Sequence, residues 1–263
     1  MPATIRPPAV AGAFYPANPL ELESEVRRYL GEARPVETGF QIRILIVPHA
    51  GYVYSGPVAA TGYRLVEQME GVERIIMLGP SHHVWFSGLA LPGVDLLETP
   101  LGVVTVDRAA AAEMAVGSLV VDSVAAHERE HSLEVQLPFL QIVAPGVPVV
   151  PLLTGNIDPV DAAHVVQPLF DDSTLLVVSS DLSHYHDADT ARRLDGETAA
   201  AIERLDEHGL IRESACGRTG VQAAVHLARR NAYRCEVLDL RNSSDTAGTR
   251  DRVVGYGTFA FGS

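Results

Sequence analysis

Apolar residues along this chain gather into short β-branched runs separated by longer stretches with helical spacing. That alternation predicts an α/β fold with a central, largely parallel or mixed sheet flanked by helices. Residues 43–47 read as the first core strand. After the turn at Pro48-His49-Ala50-Gly51, residues 56–68 read as a helix, and 74–78 as a second strand that stops at Gly79-Pro80. A third strand is expected at 147–152. Asp158 is placed to cap a helix running to residue 170, and 174–178 is the kind of apolar run that a sheet buries on both faces. Helices over 189–205 and 218–230 and closing strands near 234–240 and 252–261 complete the pattern. No repeat, low-complexity stretch or linker-like segment interrupts it, so residues 1–263 are expected to form a single domain.

Composition narrows the chemistry. A chain of 263 residues, 47% hydrophobic and 20% charged, can bury a core that needs no disulfide staple. Its two cysteines, Cys216 and Cys235, then read as free or metal-bound thiols rather than a bridge. The longest apolar runs, such as 44–47 and 175–178, fall far short of the ~20 residues that span a bilayer. Met1-Pro2-Ala3-Thr4-Ile5-Arg6-Pro7-Pro8 carries no apolar signal region, so a cytoplasmic protein without membrane attachment is expected. The net charge of −13 offers nothing to a phosphate backbone, which argues against nucleic acid as a partner. All 20 basic residues are arginine; without lysine, Schiff-base chemistry, pyridoxal-phosphate attachment and the P-loop are excluded.

Three apolar strands run straight into polar, histidine-bearing turns: Val47-Pro48-His49-Ala50-Gly51-Tyr52, Leu78-Gly79-Pro80-Ser81-His82-His83, and Ser179-Ser180-Asp181-Leu182-Ser183-His184-Tyr185-His186. The carboxyl ends of parallel strands share one edge of an open sheet, where ligands bind, so the three turns are expected to converge. One histidine after a strand is usually just a hydrogen-bonded residue; three turns of like construction, with Asp181 among them, favour a pocket. Neutral imidazoles suit Zn, Cu, Fe and Ni, and a thiolate adds softness, so His49, His82 and Cys216 can form a two-histidine, one-thiolate set. Cys216 reads equally well as a small buried hydrophobe, and Cys235, inside a strand, as structural. The segment His127-Glu128-Arg129-Glu130-His131-Ser132-Leu133-Glu134 has two readings: a solvated helix start capped by Ser132, or a pocket wall in which His131 or Glu130 orients substrate or a ligand.

Taken in order, several motifs resemble the MEMO family, also found as the B component of a bacterial AmmeMemoRadiSam gene set. They are Ala9-Val10-Ala11-Gly12-Ala13-Phe14-Tyr15-Pro16, Pro48-His49-Ala50-Gly51-Tyr52 with Ser55-Gly56, Leu78-Gly79-Pro80-Ser81-His82-His83, Thr99-Pro100-Leu101-Gly102, Glu130-His131-Ser132-Leu133-Glu134, Ser179-Ser180-Asp181-Leu182-Ser183-His184 and Cys216-Gly217-Arg218. The resemblance implies a fold similar to the LigB-type extradiol dioxygenases, whose site holds Fe(II) on two histidines and a carboxylate. Carried over, it implies His49 and His82 as metal ligands with Cys216 in the carboxylate's place. It also implies His184 as acid/base, Asp181 as the pocket carboxylate and His131 as a lining residue. His83 would point away from the pocket if the backbone there is extended, and His186 departs from the family pattern.

The first functional expectation is therefore an Fe(II)-dependent redox enzyme, with Cu or Zn as other metals, acting on a small molecule alongside radical-SAM and AMMECR1-like partners. The alternatives are a non-catalytic metal- or phosphopeptide-binding module, for which Arg218 is the arginine to hand, and a zinc-dependent hydrolase.

Overall fold

The middles of the central strands, residues 44–47, 75–78 and 175–178, are apolar at every position because helices cover both faces of the sheet they form. The computed structural model describes residues 3–115, 117–210 and 214–263. Along the chain the elements are β1 (Ile5–Arg6), α1 (Pro19–Glu32), β2 (Ile42–Val47), α2 (Tyr52–Val66), β3 (Arg74–Pro80), β4 (Leu89–Leu91), β5 (Leu96–Thr99), β6 (Gly102–Thr105), α3 (Arg108–Met114), β7 (Val120–Asp122), α4 (Val124–Glu128), α5 (Leu137–Val143), β8 (Val149–Thr154), α6 (Pro159–Val166), β9 (Thr174–Ser179), β10 (His184–His186), α7 (Ala188–Glu203), α8 (Arg218–Arg230), β11 (Arg234–Asn242) and β12 (Val253–Gly262). Nine strands form one mixed sheet in the order β10-β12-β2-β9-β3-β8-β4-β7, with β11 paired to the other edge of β12. The pairs β2/β9, β9/β3 and β3/β8 are parallel, whereas β12 and β4 flank them antiparallel. A small sheet, β1-β5-β6, lies apart.

Strand periodicity divides the core in two. Leu45, Val47, Ile75, Met77, Leu175 and Val177 face one cluster with Val26 of α1, Tyr63 of α2 and Phe139 of α5. Their neighbours Ile44, Ile46, Ile76, Leu78, Leu176 and Val178 face the other, with Ala162 of α6, Ile202 of α7 and Val221 of α8. The fold is thus the expected α/β layering of helices on both sides of a mixed sheet.

Several boundaries move. The strand expected at 147–152 is Val149–Thr154. The helix expected from 56 begins a turn earlier, at Tyr52, with Pro57 inside it. Gly56-Pro57 reads locally as a start because proline is at home in the first turn, but the Tyr52 amide donates to the Phe14 carbonyl and extends the helix upstream. Asp158 does cap its helix, accepting from the Val160 amide, yet the α-helix ends at Val166 and continues only as a 3-10 turn over Gln167–Leu169. The amphipathic helix α1, capped by Asn18, carries no expectation from the sequence reading. Among the described residues, no helix is long and apolar enough to cross a membrane.

Candidate metal centre

Parallel register brings the histidine-bearing turns to one level. Val47 of β2 lies opposite Ser179 of β9, and Leu78 of β3 opposite Val178, so His49, His82 and Asp181 each follow a strand end by two residues at one edge of the sheet. A fourth segment, carrying Glu130 and His131, folds over the same edge. The atoms of His49, His82 and His131 that can bind a metal all lie within 4.8 Å of one another, and this group can hold a metal ion. The His82 and His131 rings are stacked, with centroids 4.9 Å apart and planes 18° apart. His49 meets both edge-on, at 5.2 and 5.6 Å.

Hydrogen bonds fix which nitrogen of His49 is free. Its Nδ1 is 2.9 Å from Ser179 Oγ. That hydroxyl spends its only proton on the Ser132 carbonyl and accepts from Gln136 Nε2, so toward His49 it can only accept. Nδ1 therefore carries the proton and Nε2 presents a lone pair. Burial, reinforced by His82, lowers the pKa of His49 to about 3, which keeps the ring neutral and able to ligate.

Glu130 organises the other two rings. Its Oε1 accepts from His82 Nδ1 at 2.9 Å and from the amides of His131 and Ser132, and its Oε2 accepts from the His82 amide. His131 Nδ1 lies 3.3 Å from the same Oε1. Burial would raise the Glu130 pKa, but these hydrogen bonds, led by that from His82, hold it well below the usual carboxylate range. For His82, burial pulls downward and the Glu130 hydrogen bond prevails, raising its pKa. Burial, with help from His49, lowers His131 to about 4. An anchored Nδ1 with a free Nε2 is the usual arrangement of a metal-binding histidine, so the donor set fits a metal that prefers imidazole.

This overturns the solvated-helix reading of 127–134. His127, Glu130, Ser132 and Glu134 are all buried, and Ser132 caps nothing: its hydroxyl donates to the Pro80 carbonyl. Behind the segment, Arg6 donates to the carbonyls of His127 and Glu130 and to Glu134 Oε2. Glu134 is saturated by further bonds from the amides of Ala9 and Val10 and the hydroxyl of Tyr15. Phe14, one residue earlier, packs its ring 4.6 Å from that of His131. The opening motif thus forms one wall of the centre. The sequence assigned no role to Arg6, Phe14, Tyr15, Gln136 or Ser179; the motifs include Phe14, Tyr15 and Ser179 but neither Arg6 nor Gln136.

Cys216 Sγ is 3.2 Å from His49 Nε2 and accepts from the Asp181 amide at 3.3 Å. It stands beside the histidines without belonging to the mutually close group, a place taken by His131. Burial, and then the Asp181 carboxylate, push its thiol pKa up to about 12. Asp181 Oδ1 accepts from the His49 amide at 2.7 Å, and burial raises its pKa. His184 is half-buried, with Nδ1 2.8 Å from the Leu182 carbonyl, an acceptor that puts the proton on Nδ1. His83 is exposed, its ring centroid 6.4 Å from that of His131. His186 pairs with Val253 across a bulge that holds Tyr185 at φ 65°. Cys235 is buried in β11 and unbridged.

An open cavity of about 480 Å³ adjoins the histidines, reaching His82 and Cys216 and bounded by Trp85, Phe86, Asn156 and Thr219. Arg218 opens α8 close by, but it is not among the described residues that line this cavity.

Known proteins resemble the chain over nearly its whole length. A MEMO1 family protein of Thermotoga petrophila is 37% identical over 277 residues, covering 95% of this chain and 97% of its own. One from Saccharolobus solfataricus is 33% identical over 98% of this chain and 99% of its own, and one from Methanopyrus kandleri 35% over 97% and 98%. Among solved structures, an uncharacterized protein from Escherichia coli K12 is similar over 82% of this chain and 99% of its own, with TM-score 0.48 and 11% identity. The family model described as Memo-like protein matches residues 6–260, and the chain belongs to that family.

Proposed function

We propose that this chain is a metal-dependent enzyme acting on a small molecule, with His49, His82 and His131 holding one first-row transition-metal ion, Fe(II) by preference. The reading rests on one observation: three imidazoles each bring a possible ligand nitrogen within 4.8 Å of the others, and each has an oxygen beside its Nδ1. Cys216, next to His49 Nε2, adds a soft donor that favours a redox-active ion. When bound, such an ion supplies a Lewis-acidic and redox-active centre with positions open to substrate. The cavity beside it holds that substrate. His184, with its proton on Nδ1, offers Nε2 to take a proton from the substrate and return it, and buried Asp181 holds the His49 backbone amide.

Elemental analysis of anaerobically purified protein tests the assignment. Wild type should carry about one metal per chain, His131→Ala should lose it with an unchanged circular-dichroism spectrum, and Cys216→Ser should keep it more weakly. His184→Ala should keep its metal and lose turnover. Wild type that neither contains nor takes up Fe(II), Cu or Zn would end the proposal. A second reading, zinc-dependent hydrolysis, is favoured by the absence of a carboxylate from the closest group, since three neutral ligands and an open position make up a common catalytic zinc site. Zinc in the isolated protein, with no oxygen uptake after iron loading, would select it.

A further inference from the structure

Among the described residues, four buried side-chain nitrogen or oxygen atoms have no hydrogen-bond partner, and two of them belong to neighbouring helical segments. They are Nε2 of His226, on α8, and Oε1 of Gln167, in the 3-10 turn that continues α6. The two helices pack against each other in the core layer that holds Ala163, Val166, Val221 and Val225. An unpaired buried polar atom is costly, so each one calls for an explanation. His226 Nδ1 lies 3.4 Å from Glu207 Oε1, and Arg229 Nη1 lies 3.7 Å from the same oxygen. Gln222, one turn before His226, donates from Nε2 to the Glu207 carbonyl at 3.0 Å, which ties the 3-10 turn Glu207–Gly209 to α8. A carboxylate beside Nδ1 draws the ring's proton there and leaves the buried Nε2 as a bare lone pair. Metal-binding histidines are usually held in this way.

A second imidazole stands next to it. The ring of His164 meets that of His226 edge-on, with centroids 6.0 Å and planes 87° apart. Two imidazoles bound at ~2.0–2.1 Å to one zinc have ring centres roughly 5–6 Å apart, close to this spacing. His164 is exposed on α6 and free to turn a nitrogen toward the same point, and Gln167 follows it by three residues, on the same side of the segment. We propose that His164, His226 and the side-chain oxygen of Gln167 form a second metal site, for a divalent ion such as Zn²⁺, with Glu207 orienting His226. The site is separate from the histidine centre, since His226 lies ~12 Å along α8 from Arg218, the residue that follows Cys216-Gly217. Both cysteines are unbridged, and an ion here supplies the crosslink they do not, fastening α6 to α8 at the point where the Glu207–Gly209 turn is tied. It binds only when these segments are docked, so it stabilises the folded chain.

Full-length protein, stripped with chelator, loaded with ZnCl₂ and passed through gel filtration, tests the site by its zinc content. Wild type should hold two ions per chain, His164→Ala and His226→Ala one each, His131→Ala one, and the double variant His131→Ala/His226→Ala none. Glu207→Gln should bind the second ion at least about 10-fold more weakly, as expected when the partner of a metal-bound histidine is lost. His208→Ala, which removes an exposed histidine of the same turn as Glu207, should still hold two. Zinc should raise the melting temperature of His131→Ala and leave that of the double variant unchanged. Because His164 is exposed, its variant separates loss of the ion from loss of folding. A second ion that survives both His164→Ala and His226→Ala, or a wild type whose one ion is lost with His131→Ala, would overturn the proposal. Failure of the histidine centre reads differently: a single ion that disappears with His226→Ala and stays in His131→Ala would remove the enzyme reading alone.

Discussion

Replacing Glu130 by glutamine preserves the size of the side chain and removes one charge at the point where two imidazoles are aimed. Oε1 accepts three hydrogen bonds, from His82 Nδ1 and the amides of His131 and Ser132, and Oε2 accepts one from the His82 amide. An amide keeps one oxygen. Lying the better way round, glutamine retains the three bonds at Oε1, weakened by loss of charge, and turns its NH₂ group against the His82 N–H. Losing one charge-assisted bond in a buried site costs about 1.5–3 kcal/mol. Orienting partners of metal-bound histidines are commonly worth 10–100-fold in affinity, or about 1.4–2.8 kcal/mol, so the two scales agree. Glu130→Gln should bind metal about 10–100-fold more weakly in competition with a chromophoric chelator, with exposed Glu128→Gln as the unaffected control. In metal-free protein the His82 pKa, raised in the wild type by the Glu130 hydrogen bond against the effect of burial, should fall in NMR titration. A variant within about threefold of wild-type affinity, with His82 titrating as before, would refute the argument that Glu130 aims these rings.

Three further outcomes follow from burial and packing. His127 lies buried with Nε2 2.8 Å from the Ala90 carbonyl, and burial lowers its pKa from 6.5 to about 4. Between those values the unfolded chain binds a proton that the folded chain does not, so stability should be level above pH 6.5 and fall toward pH 4. Its share is roughly 3 kcal/mol. His49 and His131 act in the same direction, so chelator-treated His127→Gln should show a shallower, not a flat, loss in urea melts across that window; an unchanged slope would contradict the assignment. Gly255→Ala would place a Cβ 2.0 Å from Asp195 Oδ2, forcing that carboxylate off the Ser183 amide it holds at 2.9 Å. A loss of about 2–4 kcal/mol is expected in thermal melts. Gly31→Ala in α1, with nothing within 4 Å, should be neutral or slightly stabilising.

The core strands and the helix Arg218–Arg230 were readable because their signals are local: unbroken apolar runs for strands buried on two faces, and a 3.6-residue period for a helix on one. The turns at His49, His82 and Asp181 were readable for a related reason, since the carboxyl ends of parallel neighbours must share an edge. The start of α2 was not, because its first turn depends on a carbonyl of Phe14. Nor was the burial of Glu130, Ser132 and Glu134, which by composition alone belong on a wet helix face; they are drawn inside by partners such as Arg6, 128 residues from Glu134. The same holds for the meeting of His131 with His49 and His82. Periodicity is a property of successive residues and survives in the written chain. Which side chains meet at a strand edge depends on strand order and on hydrogen bonds between distant segments, and those form only when the chain closes on itself.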